Sequence, residues 1–295
     1  MTIKTMISLR LLAIVLLGFS GLVGCTTTPS WLQPFSTTPA EVSLPADASA
    51  SQLYEQALRL GYQANSQGLR DAHPFLQRAA QQDHVGAQYL LGMNYLLGRG
   101  VTKDEALAYR WLEPAAEAGH ASAQYFLAEL LINGRGVSTE KAWGVQWLER
   151  SANRNEKASQ LALGIAFASG LGGITDEYLA VEWLIRARNQ GSPEALQLLT
   201  KLSAKLVDVD WQILERRAKR PLPSVLAKPE QASIRFVQLV LNRHGYRAGP
   251  EDGIEGARTR AAIGRFSASQ EVSLVDISEP LLQRLRALQR QDETG

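Results

Sequence analysis

The sequence is poor in residues that would crosslink it or bind a metal ion. Cys25 is the only cysteine among 295 residues, so no intramolecular disulfide can form. The histidines are His73, His84, His120 and His244, and no two of them have the i, i+4 spacing of metal ligands on one helix face. We therefore expect no metal site and no cofactor.

The chain also lacks a large excess of charge of either sign. The chain has 31 basic and 29 acidic side chains, and its formal net charge of +2 is too small for the positive field that attracts nucleic acid. A short basic run between Arg216 and Lys228 favours a solvated linker over a nucleic-acid patch. With 45% hydrophobic residues, the chain has a globular composition and enough length for two modest domains.

Signatures of catalysis are missing as well. The sequence has no Gly-x-Ser-x-Gly motif and no phosphate-binding loop. Ser138 precedes Lys141 by three residues, as in penicillin-recognising enzymes, but the partner motifs of those enzymes are missing. The equivalent segment 36 residues earlier, from Thr102 to Glu105, has the spacing of a capping box, so we interpret both segments as helix caps. We expect no catalytic residues and no enzymatic activity.

The N-terminus has the pattern of an export signal. Lys4 and Arg10 precede an apolar stretch, 11–23, that is too short to span a bilayer stably as a helix. The stretch ends in Leu-Val-Gly-Cys at 22–25, which resembles the lipobox of bacterial lipoproteins, where the sulfur of the cysteine accepts a diacylglyceryl group before cleavage. The alternative is an ordinary secretory signal with an incidental cysteine.

The lipoprotein resemblance implies a signal peptide over 1–25, with the mature chain starting at an acylated Cys25. Fatty chains such as palmitate would anchor the protein without a spanning helix, each buried methylene adding about 0.8 kcal/mol. Thr26 follows the cysteine, and a residue other than Asp at that place implies sorting to the periplasmic face of the outer membrane. Residues 26–50 are rich in Thr, Ser, Pro and Ala, which predicts a disordered tether.

A period of 36 residues dominates the middle of the chain. Small residues, leucines, tryptophans and glycines each recur on a separate phase of this period. They are Ala87, Ala123, Ser159 and Ala195; Leu91, Leu127, Leu163 and Leu199; Trp111, Trp147 and Trp183; and the glycine pairs Gly98 and Gly100, Gly134 and Gly136, Gly170 and Gly172. Agreement across independent phases predicts a repeat architecture, in which one unit cannot bury its apolar face without a neighbour.

Each unit is predicted to be a pair of helices. In the first unit one helix spans about 84–97, with Ala87 and Leu91 on one face, and the other spans about 103–118. The paired glycines supply the positive φ of a tight reversal between the two helices, and Gly119 ends the second one. Alanines let the helices approach closely, while the tryptophan fills the space between neighbouring units.

This pattern resembles the Sel1-like repeat, a relative of the tetratricopeptide repeat. The resemblance is carried by 87–101 together with Ala106, Trp111 and the Ala-Ala-Glu-Ala-Gly run at 115–119. It covers good copies at 84–119 and 120–155 and a degraded copy at 156–191, in which Gly173 replaces the loop valine and Arg188 an alanine. We interpret 51–218 as one right-handed α-solenoid whose atypical ends serve as caps.

In this family such repeats are protein-binding scaffolds, so the resemblance implies a protein partner. The repeating residues are interpreted as core. Side chains that do not recur are better candidates for contact with a partner, and Asn94, Tyr125 and Glu129 are examples.

Helical periodicity breaks at a proline-rich stretch that predicts a linker at 219–229. Beyond it the apolar spacing predicts three helices, at 231–244, 257–268 and 279–290. Ser278 is expected to cap the last of them. The predicted fold class is therefore all-α, an α-solenoid followed by a small three-helix domain at 230–291.

The connection between the first two of these helices carries a second resemblance. Gly-Tyr at 245–246, Asp-Gly-Ile-Glu-Gly at 252–256 and Thr-Arg-Ala-Ala-Ile at 259–263 occur in the order found in the three-helix peptidoglycan-binding domain that accompanies cell-wall hydrolases. The chain departs from that pattern at Ser267, where the family usually has glutamine, and at 269–272. The resemblance implies peptidoglycan as a ligand, and the departures concern binding strength more than fold.

The candidate peptidoglycan-binding residues are Arg247, Asp252, Gly253, Arg258 and Thr259. Asp252 and Gly253 also fit a turn, in which the glycine takes a positive φ and the carboxylate accepts backbone N–H bonds. Thr259 also fits a cap at the start of a helix. Arg247 and Arg258 carry guanidinium groups able to pair with carboxylates of the stem peptide, although surface arginines often have no role, and both interpretations stay open.

These observations predict a non-enzymatic scaffold, held to the outer membrane by lipid, that binds peptidoglycan and recruits an unidentified periplasmic protein. A second hypothesis is an accessory lipoprotein of an envelope or exopolysaccharide secretion machine, because Sel1-like lipoproteins also occur there. A third is a cryptic wall hydrolase, because the C-terminal type of domain usually accompanies one. Nucleic acid is not among the expected partners.

Overall fold

The computed structural model describes residues 46–61, 66–173, 175–206, 210–220 and 231–294. The predicted signal peptide with Cys25, the tether as far as residue 45 and linker residues 221–229 lie outside the described residues. Within the described ranges every regular element is a helix, which confirms the all-α prediction. The part of the chain from Ala48 to Gly295 forms one compact unit.

Pairs of helices follow one another along most of this unit. They are α1 (Ala50–Gly61), α2 (Ser66–Gln81), α3 (Val85–Leu97), α4 (Glu105–Glu117), α5 (Ala121–Asn133), α6 (Lys141–Asn153), α7 (Lys157–Ser169), α8 (Glu177–Asn189), α9 (Pro193–Lys205) and α10 (Trp211–Ala218). A short 3-10 turn, Leu171–Gly173, follows α7. Each predicted repeat is one pair, and successive pairs pack on each other, so the α-solenoid prediction is confirmed.

Glycine sets the reversal inside each unit. Gly98 and Gly134 end α3 and α5 in the left-handed region, with φ of 68° and 64°, as Gly170 does at the end of α7. The next glycine of the loop is needed for space as well. A Cβ on Gly136 would lie 2.2 Å from the carbonyl carbon of Glu105, so only glycine lets this loop approach the start of α4.

The residues on the predicted phases form the core. Ala87, Ala123, Ser159 and Ala195 are fully buried, and the four leucines of the second phase are buried beside them. Trp147 and Trp183 are buried, whereas Trp111 in the first unit is only half-buried.

A buried glutamine also recurs with the 36-residue period. The side-chain amides of Gln88, Gln124 and Gln160 donate to the carbonyl oxygens of Ala80, Ala116 and Ala152, the residue eight positions earlier in each case. These bonds link the first helix of a unit to the last turn of the helix before it. Each of these carbonyl oxygens also accepts a backbone N–H, from Asp83, Gly119 and Asn155 respectively, so the glutamine gives it a second donor and satisfies its own buried amide.

The capping prediction for Thr102 is wrong. Asp104 is the N-cap of α4, and its Oδ1 accepts the N–H of Leu107 at 2.9 Å. Asp104 lies one residue before the helix, so its carboxylate reaches the N–H of the third helical residue, whereas Thr102 is two residues further away.

Ser138 is not a cap either. Glu140 occupies the N-cap position of α6, and its side chain makes no capping hydrogen bond. The carboxylate of Glu140 accepts a hydrogen bond from Arg286 instead.

The histidines at one repeat position also cap helices. Nδ1 of His84 and of His120 accepts the N–H of Ala87 and of Ala123, each at 3.2 Å. Burial lowers the pKa of His120, which favours the neutral ring that can accept this bond. The recurrence of histidine after 36 residues therefore has a structural cause.

Three further helices follow the gap: α11 (Gln231–Arg243), α12 (Ala257–Ser269) and α13 (Glu279–Thr294). Their bounds agree with the predicted helices to within a few residues. They bury one apolar face each, including Val237, Ile263, Phe266 and Leu285. This core is continuous with that of the solenoid, because α11 packs directly against α6.

Candidate functional site

The loop between α11 and α12 is held in place by the buried side chain of Gln238. Its amide nitrogen lies 3.1 Å from Asp252 Oδ1 and 3.1 Å from the carbonyl oxygen of Ile254, and its Oε1 accepts the N–H of Gly253 at 3.0 Å. Asn242, one turn later on α11, donates to the carbonyl of Gly249 at 2.8 Å. The loop is therefore preorganised by the helix before it.

Gln238 and Asn242 were not among the predicted site residues. Gln238 follows Ile234 by four residues and therefore lies on the face of α11 that the sequence marks as apolar. A polar side chain on such a face must find partners inside the protein. A glutamine on an apolar helix face is therefore the sequence signal for a residue that makes buried hydrogen bonds, here to the loop.

Asp252 and Gly253 form the turn that the sequence suggested. Gly253 has a φ of 73°, and Oδ1 of Asp252 accepts the N–H of Ile254 at 2.9 Å. Gly253 is buried and Asp252 is half-buried. These residues fix the shape of the loop, and Asp252 also keeps some surface open to a ligand.

Thr259 lies inside the fold. Its side chain is 1% exposed, and its hydroxyl donates to the carbonyl oxygen of Ala248 at 3.1 Å. The N-cap of α12 is Gly256, so the interpretation of Thr259 as a cap is wrong. As the third residue of α12 it faces inward and ties the helix to the far end of the loop.

Arg247 and Arg258 are exposed at the two ends of the loop. Within the described ranges, neither guanidinium has a hydrogen bond or an ion pair. Gly256 provides no side-chain cap for α12, and the first turn of α12 has no acidic residue. The positive end of the helix and both guanidinium groups are thus available to an anionic ligand.

The first helices of the repeats carry aromatic side chains and one half-buried carboxyl group, that of Glu129. The rings of Tyr89 and His120 stack with centroids 4.3 Å apart, and the ring of Phe126 lies 6.4 Å from Tyr89. Of the predicted contact residues, Asn94 and Tyr125 are buried, so they belong to the core and that prediction is wrong for both. They lie on the inward side of their helices.

Glu129, the remaining predicted contact residue, is half-buried beside Tyr125, whose hydroxyl donates to Oε1 at 2.9 Å. Burial raises the pKa of the Glu129 carboxyl to about 7, against the opposing effects of the Tyr125 hydrogen bond and the charge of Arg135. The carboxyl group therefore changes its charge near neutral pH.

The C-terminal helices dock on the second repeat through aromatic and polar contacts. Trp143 of α6 meets Phe236 of α11 edge to face, with ring centroids 5.2 Å apart. The amide of Gln146 donates to the hydroxyl of Ser233 at 2.7 Å. The guanidinium of Arg235 lies 5.0 Å above the ring of Phe167, so α7 takes part as well.

A buried ion pair completes this interface. Nε of Arg286, on α13, donates to Oε2 of Glu140 at 2.7 Å, and both side chains are almost completely buried. Nη2 of Arg286 also donates to the hydroxyl of Tyr109 at 2.9 Å. Burial alone would lower the pKa of Arg286, but the hydrogen bonds with Glu140 and Tyr109 outweigh it and raise that pKa.

The structure offers no other obvious chemical centre in its described parts. Among those residues no group of three or more His, Cys, Asp or Glu side chains could hold a metal ion. Ser138 and Lys141 are both exposed at the start of α6. None of the described helices combines the length and the apolar character needed to cross a membrane.

Comparison with known families identifies the repeats. The Sel1 repeat model matches three consecutive segments, 85–120, 121–156 and 157–192. Each contains one helix pair, and the segments agree within one residue with the copies predicted from the sequence. The chain therefore carries three Sel1 repeats. A comparison with curated proteins finds no match.

Three solved structures are similar to parts of this chain. A Sel1 repeat protein from Oxalobacter formigenes is 29% identical over 52% of this chain and 45% of its own, with a TM-score of 0.47. A protective antigen of uropathogenic Escherichia coli strains that displays an SLR fold is 23% identical over 75% of this chain and 46% of its own, with a TM-score of 0.50. Cysteine rich protein B of Helicobacter pylori is 23% identical over 42% of this chain and 94% of its own, with a TM-score of 0.36.

The likeness to the Escherichia coli antigen concerns the fold alone. This chain spans less than half the length of the first two structures.

Proposed function

We propose that this Sel1-repeat chain is a lipid-anchored periplasmic scaffold of the outer membrane, which binds peptidoglycan through the loop between α11 and α12 and a protein partner through its repeats. The repeats support the scaffold role, because proteins with Sel1 repeats generally bind other proteins and are not catalytic. The lipid anchor rests on the lipobox-like segment that ends at Cys25.

One observation carries the peptidoglycan proposal. Two exposed guanidinium groups without partners in the described structure, those of Arg247 and Arg258, stand at the ends of a loop whose shape Gln238 fixes. The stem peptides of peptidoglycan carry carboxylates, which guanidinium groups bind with paired hydrogen bonds. A preorganised loop loses little conformational entropy when it binds, so two such contacts are enough for measurable association.

The test is co-sedimentation of the full chain with purified peptidoglycan sacculi. We expect the unchanged protein to sediment at low salt and the double variant Arg247→Ala with Arg258→Ala to bind about tenfold more weakly, because each lost exposed ion pair costs roughly 0.7 kcal/mol. Raised salt should weaken binding of the unchanged protein.

The matched control removes the same charge elsewhere. Arg59 and Arg110 are exposed on α1 and α4, so the variant with both changed to Ala has an equal net charge but an intact loop. Equal sedimentation of the two double variants would show that general charge, and not the loop, holds the protein on the wall.

The anchor has its own test. Cys25→Ser removes the sulfur that would accept the diacylglyceryl group, so the variant should be soluble in the periplasm or retained as an uncleaved precursor. Membrane fractionation of cells checks this. Outer-membrane recovery equal to that of the unchanged protein would exclude lipidation of Cys25 as the anchor.

A further inference from the structure

The same loop exposes a large apolar side chain. Ile254 is 66% exposed, although it lies between the buried Gly253 and the half-buried Glu255. A single exposed apolar residue is common on protein surfaces and needs no explanation by itself. The position of Ile254 and the way in which its backbone is held distinguish it.

The backbone of Ile254 is fully used inside the protein. Its N–H donates to Oδ1 of Asp252 at 2.9 Å, and its carbonyl oxygen accepts from Gln238 at 3.1 Å and from the N–H of Gly256 at 2.9 Å. With both polar groups engaged, the backbone of Ile254 is held in place while the side chain is exposed to solvent. Binding a ligand here therefore costs little backbone entropy.

The charges beside Ile254 indicate what it meets. Arg258 follows four residues later at the uncapped start of α12, and Arg247 stands at the other end of the loop. A ligand that places carboxylates on these guanidinium groups and a methyl group on Ile254 must combine acidic and small apolar groups. Peptides of alanine and diacidic residues, as in the stems of peptidoglycan, have this chemistry.

We propose that Ile254 is an apolar contact residue for the alanine methyl groups of the peptidoglycan stem peptide. The inference rests on the proposed binding of peptidoglycan, and it names the stem peptide, not the glycan strand, as the part that is bound. The apolar contact with Ile254 would then exclude water, and the charged contacts with the two arginines would fix the orientation of the peptide.

The test compares Ile254→Ala with Val275→Ala in the full chain. Val275 is 76% exposed on the same C-terminal part but lies outside the loop, so it is a matched control for the loss of exposed apolar surface. Sedimentation with intact sacculi should be about fivefold weaker for Ile254→Ala and within about twofold of the unchanged protein for Val275→Ala. Both variants should keep the melting temperature, because both side chains are exposed.

A second series adds free stem peptides or soluble glycan strands, both released from sacculi by an amidase, as competitors of sedimentation with intact sacculi. The free peptides should displace the unchanged protein, and the glycan strands should not. Displacement by the glycan strands and not by the peptides would overturn the assignment to the peptide. Equal binding of Ile254→Ala and the unchanged protein to intact sacculi would refute the role of Ile254 while leaving the arginines in place. No sedimentation of the unchanged protein would overturn both this inference and the proposed function.

Discussion

At the scale of single residues, Glu129 is a carboxyl group of the repeats whose pKa lies close to neutral pH. Burial in α5 raises the pKa of its carboxyl from 4.5 to about 7, and neither Tyr125 nor Arg135 is placed to cancel that effect. Between pH 4.5 and about 7, Glu129 is therefore protonated in the folded state and ionised in the unfolded chain. The stabilising contribution is fully present below pH 4.5 and is lost as the pH rises through about 7.

Glu129→Gln should remove this pH dependence. The free energy of unfolding of the unchanged protein should fall by roughly 2 kcal/mol between pH 5 and pH 8 because of this group, while the variant should show a flatter profile over the same range. Urea unfolding at several pH values measures it. Glu55→Gln, at an exposed position of α1, is the control and should leave the slope as it is. An unchanged slope in Glu129→Gln would contradict the burial of this carboxyl.

At the scale of helices, local rules predicted most of the repeat architecture. Small residues and leucines recur because they pack in the core of each repeat, and glycines recur because they form the turn. The helix pairs and their bounds therefore follow from the spacing alone. Caps were less predictable. Thr102 and Asp104 both suit an N-cap, and only the geometry of the chain entering α4 selects Asp104.

Asp104→Ala should therefore destabilise the protein by about 1 kcal/mol, because the N–H of Leu107 loses its acceptor. Thr102→Ala, two residues away and exposed, should stay within about 0.5 kcal/mol of the unchanged protein. Thermal unfolding of both variants checks the difference. The opposite order of effects would mean that Thr102, and not Asp104, caps α4.

At the scale of the whole molecule, the docking of the C-terminal helices was beyond sequence reasoning. Two positions of the second repeat differ from their equivalents 36 residues before and after. The first and third repeats have Asp and Leu there, and the second has Glu140 and Trp143. These departures become meaningful only beside their partners, Arg286 and Phe236, which are far away in sequence. The motif places Arg247 and Arg258 in the loop, whereas the hydrogen bonds by which Gln238 holds that loop are seen only in the structure.

The buried ion pair between Arg286 and Glu140 joins the C-terminal helices to the solenoid, and its removal tests whether they are docked there. Arg286→Ala leaves the carboxylate of Glu140 buried without its guanidinium partner, so the free energy of unfolding should fall by about 3 to 5 kcal/mol. Arg284→Ala, on the exposed side of the same helix, should cost less than about 0.5 kcal/mol. The double variant Glu140→Gln with Arg286→Met should be less destabilised than Arg286→Ala, because no unpaired charge stays buried. Chemical unfolding measures all three variants. If Arg286→Ala unfolded like Arg284→Ala, the C-terminal helices would not be docked on α6 in solution, and the loop would be free to orient independently of the repeats.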